Sequence, residues 1–335
     1  MSTVSAVRPV RVVAADDIAQ GVRRLRLRSV DGAPLPAWEP GAHIDLLLPS
    51  GLVRQYSLCG VPDELNEYEI AVLREPEGRG GSDEVHHVLQ VGTELSIAGP
   101  RNRFPLHSAK QYLFIAGGIG ITPLLPMIDE VQRRGSDWRL LYGGRSRATM
   151  AYLERLAEWT DRVEIRPQDE FGLLDLEQAL AARPGGLVYC CGPEPLLRAV
   201  ESRCEQDRPP GSLVVERFSA GETAPTLGAS EAAFEVQLGE QGPVLRVPAD
   251  QSILKVLQDV DADVLYSCEE GTCGSCETRV ICGRPDHRDS LLSEENRDDG
   301  LMLVCVSRSL DPRLVLDVEA PPQLADGDVP RRDSA

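Results

Sequence analysis

Positive charge is scarce in this sequence. Its 335 residues include 35 lysines and arginines against 53 aspartates and glutamates, which gives a formal net charge of −18. A surface with this balance repels the phosphate backbone of DNA or RNA. The composition therefore argues against nucleic acid as a partner.

Long apolar runs are also missing. No stretch approaches the roughly 20 consecutive apolar residues that a membrane helix needs. The first residues, MSTVSAVRPVRVV, lack the apolar core of a secretory signal. We therefore expect no membrane association and a cytoplasmic location. The five histidines have no spacing typical of a metal or nucleophile site, so we expect them to be surface or packing residues.

The chain has no repeat of fixed period, and its length favours two or three domains. Residues 1–108 contain short β-like runs separated by turn signals, typical of an antiparallel β-barrel. Residues 109–219 alternate strands with helices, typical of an open, parallel α/β sheet. Residues 220–230 are small, polar and interrupted by Pro and Gly, as in a linker. A third domain is expected at 231–321, and a flexible tail at 322–335.

Local patterns add detail to these regions. A helical pattern follows the first α/β strand as far as Arg134, and a further helix is predicted over residues 148–159. In the third region, residues 234–238 alternate like a strand, and Ser252 opens an amphipathic helix. From Gly228 onward there are 22 acidic against 10 basic residues. This acidity suggests a domain with its own electrostatic task.

Cysteine is plentiful, and five of the nine cysteines lie between residues 268 and 305. Four of them have the C-x4-C-x2-C…C spacing of a plant-type [2Fe-2S] cluster, namely Cys268, Cys273, Cys276 and Cys305. Gly271 and Gly274 would allow the loop to turn tightly and to direct amide N–H groups at sulfur. The fourth thiolate is expected to arrive on a distant strand that ends at Cys305.

A tetrahedral zinc site is the alternative, because four thiolates also suit zinc. Zinc sites usually present two C-x2-C pairs, and only one occurs here. The spacing therefore favours iron and sulfur. Cys282 falls outside the spacing, and we expect it to be a small packed side chain.

A glycine-rich turn, GGIGITP (117–123), directly follows an apolar strand. Gly118 and Gly120 would let the backbone approach a pyrophosphate, and Thr122 would cap the next helix. Many such turns carry glycine only for packing. The sequence thus predicts a dinucleotide cradle without excluding the structural interpretation.

Two further segments belong to the same prediction. Cys191, Gly192 and Pro193 end another strand at the edge where an open α/β sheet binds its ligand. The Cys191 thiol could lie against a nicotinamide ring or be a buried structural cysteine. Arg145 and Arg147 follow the second strand; they would favour a 2′-phosphate and hence NADPH, or be merely solvated. The choice between NADH and NADPH stays open.

A nicotinamide donates two electrons as a hydride, whereas a [2Fe-2S] cluster accepts one electron at a time. A converter must therefore lie between them, and flavin is the usual one. The barrel is the only region without an assigned role. Within it, RQYSL (54–58) alternates like an ordinary strand, with Arg54, Tyr56 and Leu58 on one face.

Six motifs occur in a characteristic order. They are RQYSL (54–58), GRGGS (78–82), GGIGITP (117–123), CGP (191–193), ERF (216–218) and the cysteine loop. In this order the chain resembles the phthalate dioxygenase reductase and vanillate demethylase reductase family of the ferredoxin-NADP reductase superfamily. The resemblance implies FMN rather than FAD, a β-grasp ferredoxin-like third domain, and a Rieske-type oxygenase or a cytochrome P450 as partner.

The resemblance also implies roles for individual residues. Arg54, Gly80, Gly81 and Ser82 would hold the FMN phosphate. Tyr56, Ser57, Ala71 and Val72 would contact the isoalloxazine ring, the last two by their backbone. Ser57 and Cys191 are the residues expected to act at the reacting rings, and Phe218 would cover the flavin.

The predicted function is an oxidoreductase that passes electrons from NAD(P)H through FMN and a [2Fe-2S] cluster to an oxygenase. The acidic last domain would steer toward a basic patch on that partner, or would only keep the protein soluble. A stand-alone NAD(P)H oxidase or flavin reductase is one alternative. A non-catalytic metal-binding scaffold is the other.

Overall fold

The computed structural model describes residues 7–218, 232–289 and 291–325. Contacts within the chain divide it into two compact units, Ser5–Arg217 and a unit that begins at Phe218. The predicted barrel and α/β regions therefore share one compact unit. The predicted linker, 220–230, lies outside the described residues, as do residues 326–335 of the predicted tail.

The first part of the chain folds into a six-stranded antiparallel sheet. Its strands are β1 (Arg8–Ala19), β2 (Val22–Ser29), β3 (Ala42–Leu47), β4 (Val53–Ser57), β5 (Tyr68–Leu73) and β6 (Glu94–Asn102), with helix α1 (Gly81–His87) between the last two. The strand order is β4-β3-β6-β1-β2-β5, and the edge strands β4 and β5 approach each other. This curled sheet encloses an apolar core that includes Leu25, Leu27 and Ile44, all fully buried. The barrel prediction is confirmed.

The second part folds into a five-stranded parallel sheet. Its strands are β7 (Gln111–Gly117), β8 (Asp137–Gly144), β9 (Val163–Pro167), β10 (Leu187–Cys191) and β11 (Leu213–Glu216). The order is β11-β10-β7-β8-β9. Strands β8 and β9 follow on one side of β7, and β10 and β11 follow on its other side, so the order in which strands are added reverses between β7 and β10. In open α/β sheets the ligand binds at such a reversal, beyond the carboxyl ends of the strands.

Helices connect these strands. They are α2 (Leu124–Arg133), α3 (Leu153–Leu156), α4 (Gln168–Phe171), α5 (Leu176–Ala181) and α6 (Glu194–Asp207), with 3₁₀ turns at Gly118–Ile121, Arg147–Thr149 and Ala157–Trp159. β7 is buried almost throughout, as expected for a parallel strand covered on both faces.

Two local predictions in this part are wrong. The helix predicted over 148–159 is broken into short turns, because Tyr152 adopts a left-handed conformation with φ 62° and a helix cannot continue through it. Thr122 does not cap α2: its backbone is already helical, and its hydroxyl donates back to the Ile119 carbonyl at 2.9 Å.

The unit that begins at Phe218 is built on a mixed five-stranded sheet. Its elements are β12 (Phe234–Leu238), β13 (Val244–Val247), α7 (Ile253–Gln258), β14 (Glu277–Cys282), β15 (Pro285–Asp286), α8 (Glu294–Asp298), β16 (Leu301–Leu303), β17 (Arg308–Ser309), β18 (Arg313–Leu316) and α9 (Pro322–Ala325). The main order is β13-β12-β18-β14-β16, and β15 pairs with β17. Ser252 caps α7 by accepting a hydrogen bond from the Lys255 amide at 3.1 Å, as predicted.

Two expectations for this unit differ from the structure. Residues 322–325 of the predicted flexible tail form helix α9. The apolar side chain of Leu324 packs into the core of this unit, which holds the segment in place. Cys282 is exposed rather than packed, since a pairing irregularity between Val280 and Cys282 turns the end of β14 outward. In the described part of the chain, no helix has the length and apolarity needed to cross a bilayer.

Candidate functional site

The four predicted ligand cysteines come together at one end of the mixed sheet. Cys268, Cys273 and Cys276 lie on the loop between α7 and β14, and Cys305 lies in the turn just after β16. The thiol of Cys268 contacts those of Cys273 and Cys305, and Cys305 also contacts Cys276. These contacts bring the four thiols together at one place. Four thiolates are the ligand set of a plant-type [2Fe-2S] cluster.

The backbone of this loop directs amide N–H groups at cysteine sulfur atoms. The Glu270 amide donates to Cys268 Sγ at 3.3 Å, and the Ser275 amide donates to Cys273 Sγ at 3.5 Å. Gly271 has φ 73°, and a Cβ there would lie 2.7 Å from Val306 Cγ2. Only glycine fits this position without a shift. N–H groups directed at thiolates stabilise their negative charge, so the residues present fit a [2Fe-2S] cluster.

The predicted flavin residues lie where β4 and β5 meet. Ser57 ends β4, is 6% exposed, and its Oγ has no hydrogen-bond partner among residues 7–218, 232–289 and 291–325. A buried hydroxyl without a partner costs free energy. Ala71 and Val72 lie in β5, which pairs with β2 alone. On its other side the Val72 carbonyl lies 2.9 Å from His86 Nε2, and the Glu69 carbonyl accepts from the Cys59 amide at 2.9 Å. The unpaired Ser57 hydroxyl is therefore the feature here that suits the polar edge of a ring.

His43 is the cross-strand neighbour of Ser57. It is 5% exposed, and its Nε2 also has no partner among the described residues. Burial, together with the nearby charge of Arg101, lowers the pKa of His43 to about 4. Its imidazole is therefore neutral at pH 7. The sequence identified this histidine only as a packing residue, because nothing in the local pattern aligns it with Ser57.

The predicted phosphate residues surround one arginine. The Arg54 guanidinium donates to the carbonyls of Val53 and Arg79 at 2.8 Å each. Gly81, the first residue of α1, lies so close that a Cβ would be 2.5 Å from Arg54 Cγ. Gly80 precedes it with φ 80°, and the Ser82 hydroxyl accepts from the Glu75 amide at 3.0 Å. The predicted set is thus brought together, and its glycines leave the room that a phosphate needs.

The glycine turn and the CGP segment contact each other at the carboxyl ends of β7 and β10. A Cβ on Gly120 would lie 2.2 Å from the Cys191 carbonyl oxygen, and one on Gly117 would lie 2.6 Å from Pro193 Cδ. A Cβ on Gly192 would lie 2.9 Å from Gly117 Cα. The glycines therefore let the two segments pack backbone against backbone, at the sheet edge where such folds bind a dinucleotide.

Cys191 is fully buried, and its thiol donates to Glu216 Oε2 at 3.9 Å. Burial raises the pKa of both groups, that of Glu216 to about 8. Cys191 therefore stays a thiol, and Glu216 holds a proton at neutral pH. Sequence analysis quoted ERF as a motif but gave Glu216 no role. Its position at the end of β11, in register with Cys191, is the signal that could have identified it.

The two arginines after β8 differ in their surroundings. Arg147 forms an ion pair with Glu170 at 2.8 Å. The exposed side chain of Arg145 makes no hydrogen bond or ion pair to another described residue. Phe218 begins the other compact unit and is 47% exposed, so its contact with flavin stays a prediction.

Comparison with known proteins agrees with these sites. A 2Fe-2S iron-sulfur cluster binding domain matches residues 236–310, and an oxidoreductase NAD-binding domain matches residues 114–202. Phenoxybenzoate dioxygenase subunit beta of Ectopseudomonas oleovorans is 44% identical over 308 residues, which cover 91% of this chain and 94% of that protein.

Two solved structures share the fold. Phthalate dioxygenase reductase, described as a modular structure for electron transfer from pyridine nucleotides to [2Fe-2S], matches with TM-score 0.69 and 36% identity over 93% of this chain and 98% of its own. An intact type IV self-sufficient cytochrome P450 monooxygenase matches with TM-score 0.83 and 41% identity over 92% of this chain. This chain spans only 41% of that monooxygenase.

These likenesses extend over nearly the whole chain. The enzyme class follows from them, with FMN, a [2Fe-2S] cluster and NADH or NADPH as the redox groups. The chain belongs to the phthalate dioxygenase reductase and vanillate demethylase reductase family, oxidoreductases that serve oxygenases as their electron source.

Proposed function

We propose that this reductase supplies a separate oxygenase polypeptide, which docks on the acidic surface beside the cysteine loop. The observation that carries the proposal is the charge around that loop. Residues 259–270 include five acidic and no basic residues. Asp261, Asp263 and Glu269 are exposed and form no ion pair within the described residues. Tyr266, 37% exposed, adds an aromatic contact at the same place.

Three arginines of this unit are already paired with carboxylates. Arg284 is paired with Asp311, Arg288 with Asp286, and Arg313 with Glu235. The acidic surface is therefore left for a basic partner, and charge complementarity acts mainly on the rate of association. A Rieske-type oxygenase is the partner we favour. The match to a self-sufficient P450 makes a P450 the second candidate.

The residues proposed to serve the flavin act by positioning. The Arg54 guanidinium and the backbone of Gly80 and Gly81 hold a phosphate, and the Ser57 hydroxyl donates to the edge of the ring. FMN held there would supply the conversion of a two-electron hydride into single electrons for the cluster. Catalysis here needs no acid or base, only the geometry of the two rings.

The dinucleotide is proposed to lie across the Gly118–Gly120 turn, with its nicotinamide near Cys191. Because Glu216 is protonated at neutral pH, its carboxyl places no negative charge beside the nicotinamide. We also infer a cytoplasmic location, since clustered thiolate ligands persist in a reducing compartment.

The test uses the purified full chain with FMN and cluster in place. Reduction by NADH is followed at both chromophores, and then electron delivery to a Rieske-type oxygenase and to a P450 is measured over a series of salt concentrations. The expected result is a delivery rate that falls steeply as salt rises. A triple variant, Asp261→Asn, Asp263→Asn and Glu269→Gln, should slow delivery about tenfold at low salt.

A matched triple variant, Glu240→Gln, Asp250→Asn and Asp317→Asn, removes the same charge from exposed positions elsewhere in the unit. It should leave the rate near that of the wild type. Equal slowing by both variants would show that total charge, rather than this surface, determines docking. Rapid oxygen consumption without any partner would favour the stand-alone oxidase instead, and a colourless protein would favour the scaffold.

A further inference from the structure

Glu170 lies beside the segment that follows the second strand of the parallel sheet. That segment is where an α/β sheet distinguishes the ribose of NADH from the 2′-phosphorylated ribose of NADPH. The Asp169 amide donates to the Arg145 carbonyl at 3.2 Å, which brings helix α4 next to the end of β8. Helix α4 therefore places an acidic residue, Glu170, next to the two arginines that follow β8.

We propose that Glu170 is the specificity-determining residue that makes this reductase selective for NADH. Arg147 Nε donates to Glu170 Oε1 at 2.8 Å, and its NH2 group donates to Oε2 at 3.2 Å. This bidentate ion pair is exposed: 52% of the Arg147 side chain and 42% of the Glu170 side chain are accessible to solvent. Exposed ion pairs contribute little to stability, so structural stabilisation does not account for it. The inference rests on the dinucleotide role proposed above for this edge.

The local charge balance favours a ribose hydroxyl over a phosphate. Arg147 pairs with Glu170, and Asp169 donates its backbone amide to the Arg145 carbonyl. The two arginines and two carboxylates together carry no net charge. A 2′-phosphate would have to displace Glu170 from Arg147 against like-charge repulsion. A 2′-hydroxyl can instead donate to the carboxylate, whose oxygens keep unused lone pairs while bound to Arg147.

The same segment offers a surface for the adenine base. Phe171 is 49% exposed, and Leu173 is 84% exposed. The Arg166 guanidinium lies 4.9 Å from the centre of the Phe171 ring and holds it in place. Apolar side chains of this size exposed beside a charged pair are typical of a ligand site. Residues 170–173 thus combine a carboxylate for the ribose with a flat apolar face for the base.

The experiment measures kcat/KM of the holoenzyme for NADH and for NADPH with ferricyanide as acceptor. The wild type is expected to prefer NADH at least about a hundredfold. Glu170→Gln should reduce that preference at least about tenfold, because KM should fall for NADPH and rise for NADH. The kcat with NADH should change little, because the substitution is remote from the nicotinamide. Glu177→Gln is the matched control, since Glu177 pairs with Arg203 on the same domain at 3.2 Å.

A second measurement avoids electron transfer altogether. Calorimetric titration with 2′-phospho-ADP-ribose should show tighter binding to Glu170→Gln than to wild type, and titration with ADP-ribose should show the opposite. A wild type that prefers NADPH, or a preference unchanged in Glu170→Gln, would overturn the inference while leaving the reductase function intact. Failure of both coenzymes to reduce the wild-type flavin would instead overturn the proposed function.

Discussion

The cysteine site and the proposed dinucleotide cradle differ in which part of the chain forms them. The cysteine site consists of four side chains, three on the loop and Cys305 after β16, which a metal cluster would bond directly. The cradle uses bare backbone, where Gly117 and Gly120 approach the Cys191–Pro193 segment too closely for any Cβ. A site made of side chains fails when a ligand atom is removed. A site made of backbone fails when an atom is added.

The largest effect is expected from removing one ligand atom. Cys305→Ser should lower the reduction of cytochrome c by NADH at least about a hundredfold, because the cluster loses its fourth thiolate. Stopped-flow reduction of the flavin by NADH should remain near the wild-type rate. The visible spectrum and iron content would record the loss of the cluster directly.

Cys282→Ser is the control for this substitution. Cys282 is exposed and outside the ligand spacing, so its replacement should leave cluster content and both rates unchanged. A wild-type level of cytochrome c reduction in Cys305→Ser would show that electrons leave through the flavin and that the cluster is not on the route.

A smaller effect is expected from adding one methyl group to the cradle. A Cβ at Gly120 would lie 2.2 Å from the carbonyl oxygen of Cys191 and 2.4 Å from its carbon. Since both atoms belong to the backbone, Gly120→Ala should destabilise the protein by about 1–3 kcal/mol. The KM for the nicotinamide dinucleotide should rise about tenfold as the turn shifts.

Gly185→Ala is the matched control, because a Cβ there meets no atom within 4 Å. Its melting temperature and KM should match the wild type. If Gly120→Ala behaves like Gly185→Ala, close backbone packing is not what defines the cradle.

The smallest effect concerns pH and the half-buried carboxyl of Glu216 beside the cradle. Burial raises the pKa of Glu216 to about 8 in the folded protein from its ordinary value of 4.5. Between these values the folded state holds a proton that the unfolded state has lost, so stability should fall as pH rises from about 4.5 to about 8 and then level off. Glu216→Gln should flatten this part of the melting-temperature profile. A slope as steep in Glu216→Gln as in Glu177→Gln would assign the pH dependence to another group.

The same contrast explains how much the sequence predicted. The cluster ligands could be read from spacing because a metal core fixes which residue types it accepts and how far apart they lie. The curled antiparallel sheet and the parallel sheet followed from hydrophobic period and turn signals. The turn GGIGITP was recognised, yet its tight contact with Cys191 depends on two parallel strands that are distant in sequence.

Other features had no local signal. Glu216 ends strand β11 and Glu170 lies in helix α4 after β9, and only the order of strands shows which residues they lie beside. The break at Tyr152 is a left-handed residue within a helical pattern, where tertiary contacts overrule propensity. Its hydroxyl donates to Glu69 at 3.0 Å and lies 3.1 Å from Cys59 Sγ, contacts between the two sheets that hold it there.

The junction between β4 and β5 also bears on how the protein must be handled. Within the described residues each of these strands has a single strand neighbour. A ring bound at this junction would stabilise the folded state by mass action. Riboflavin supply during expression, and excess FMN during purification, should therefore raise the yield of folded protein.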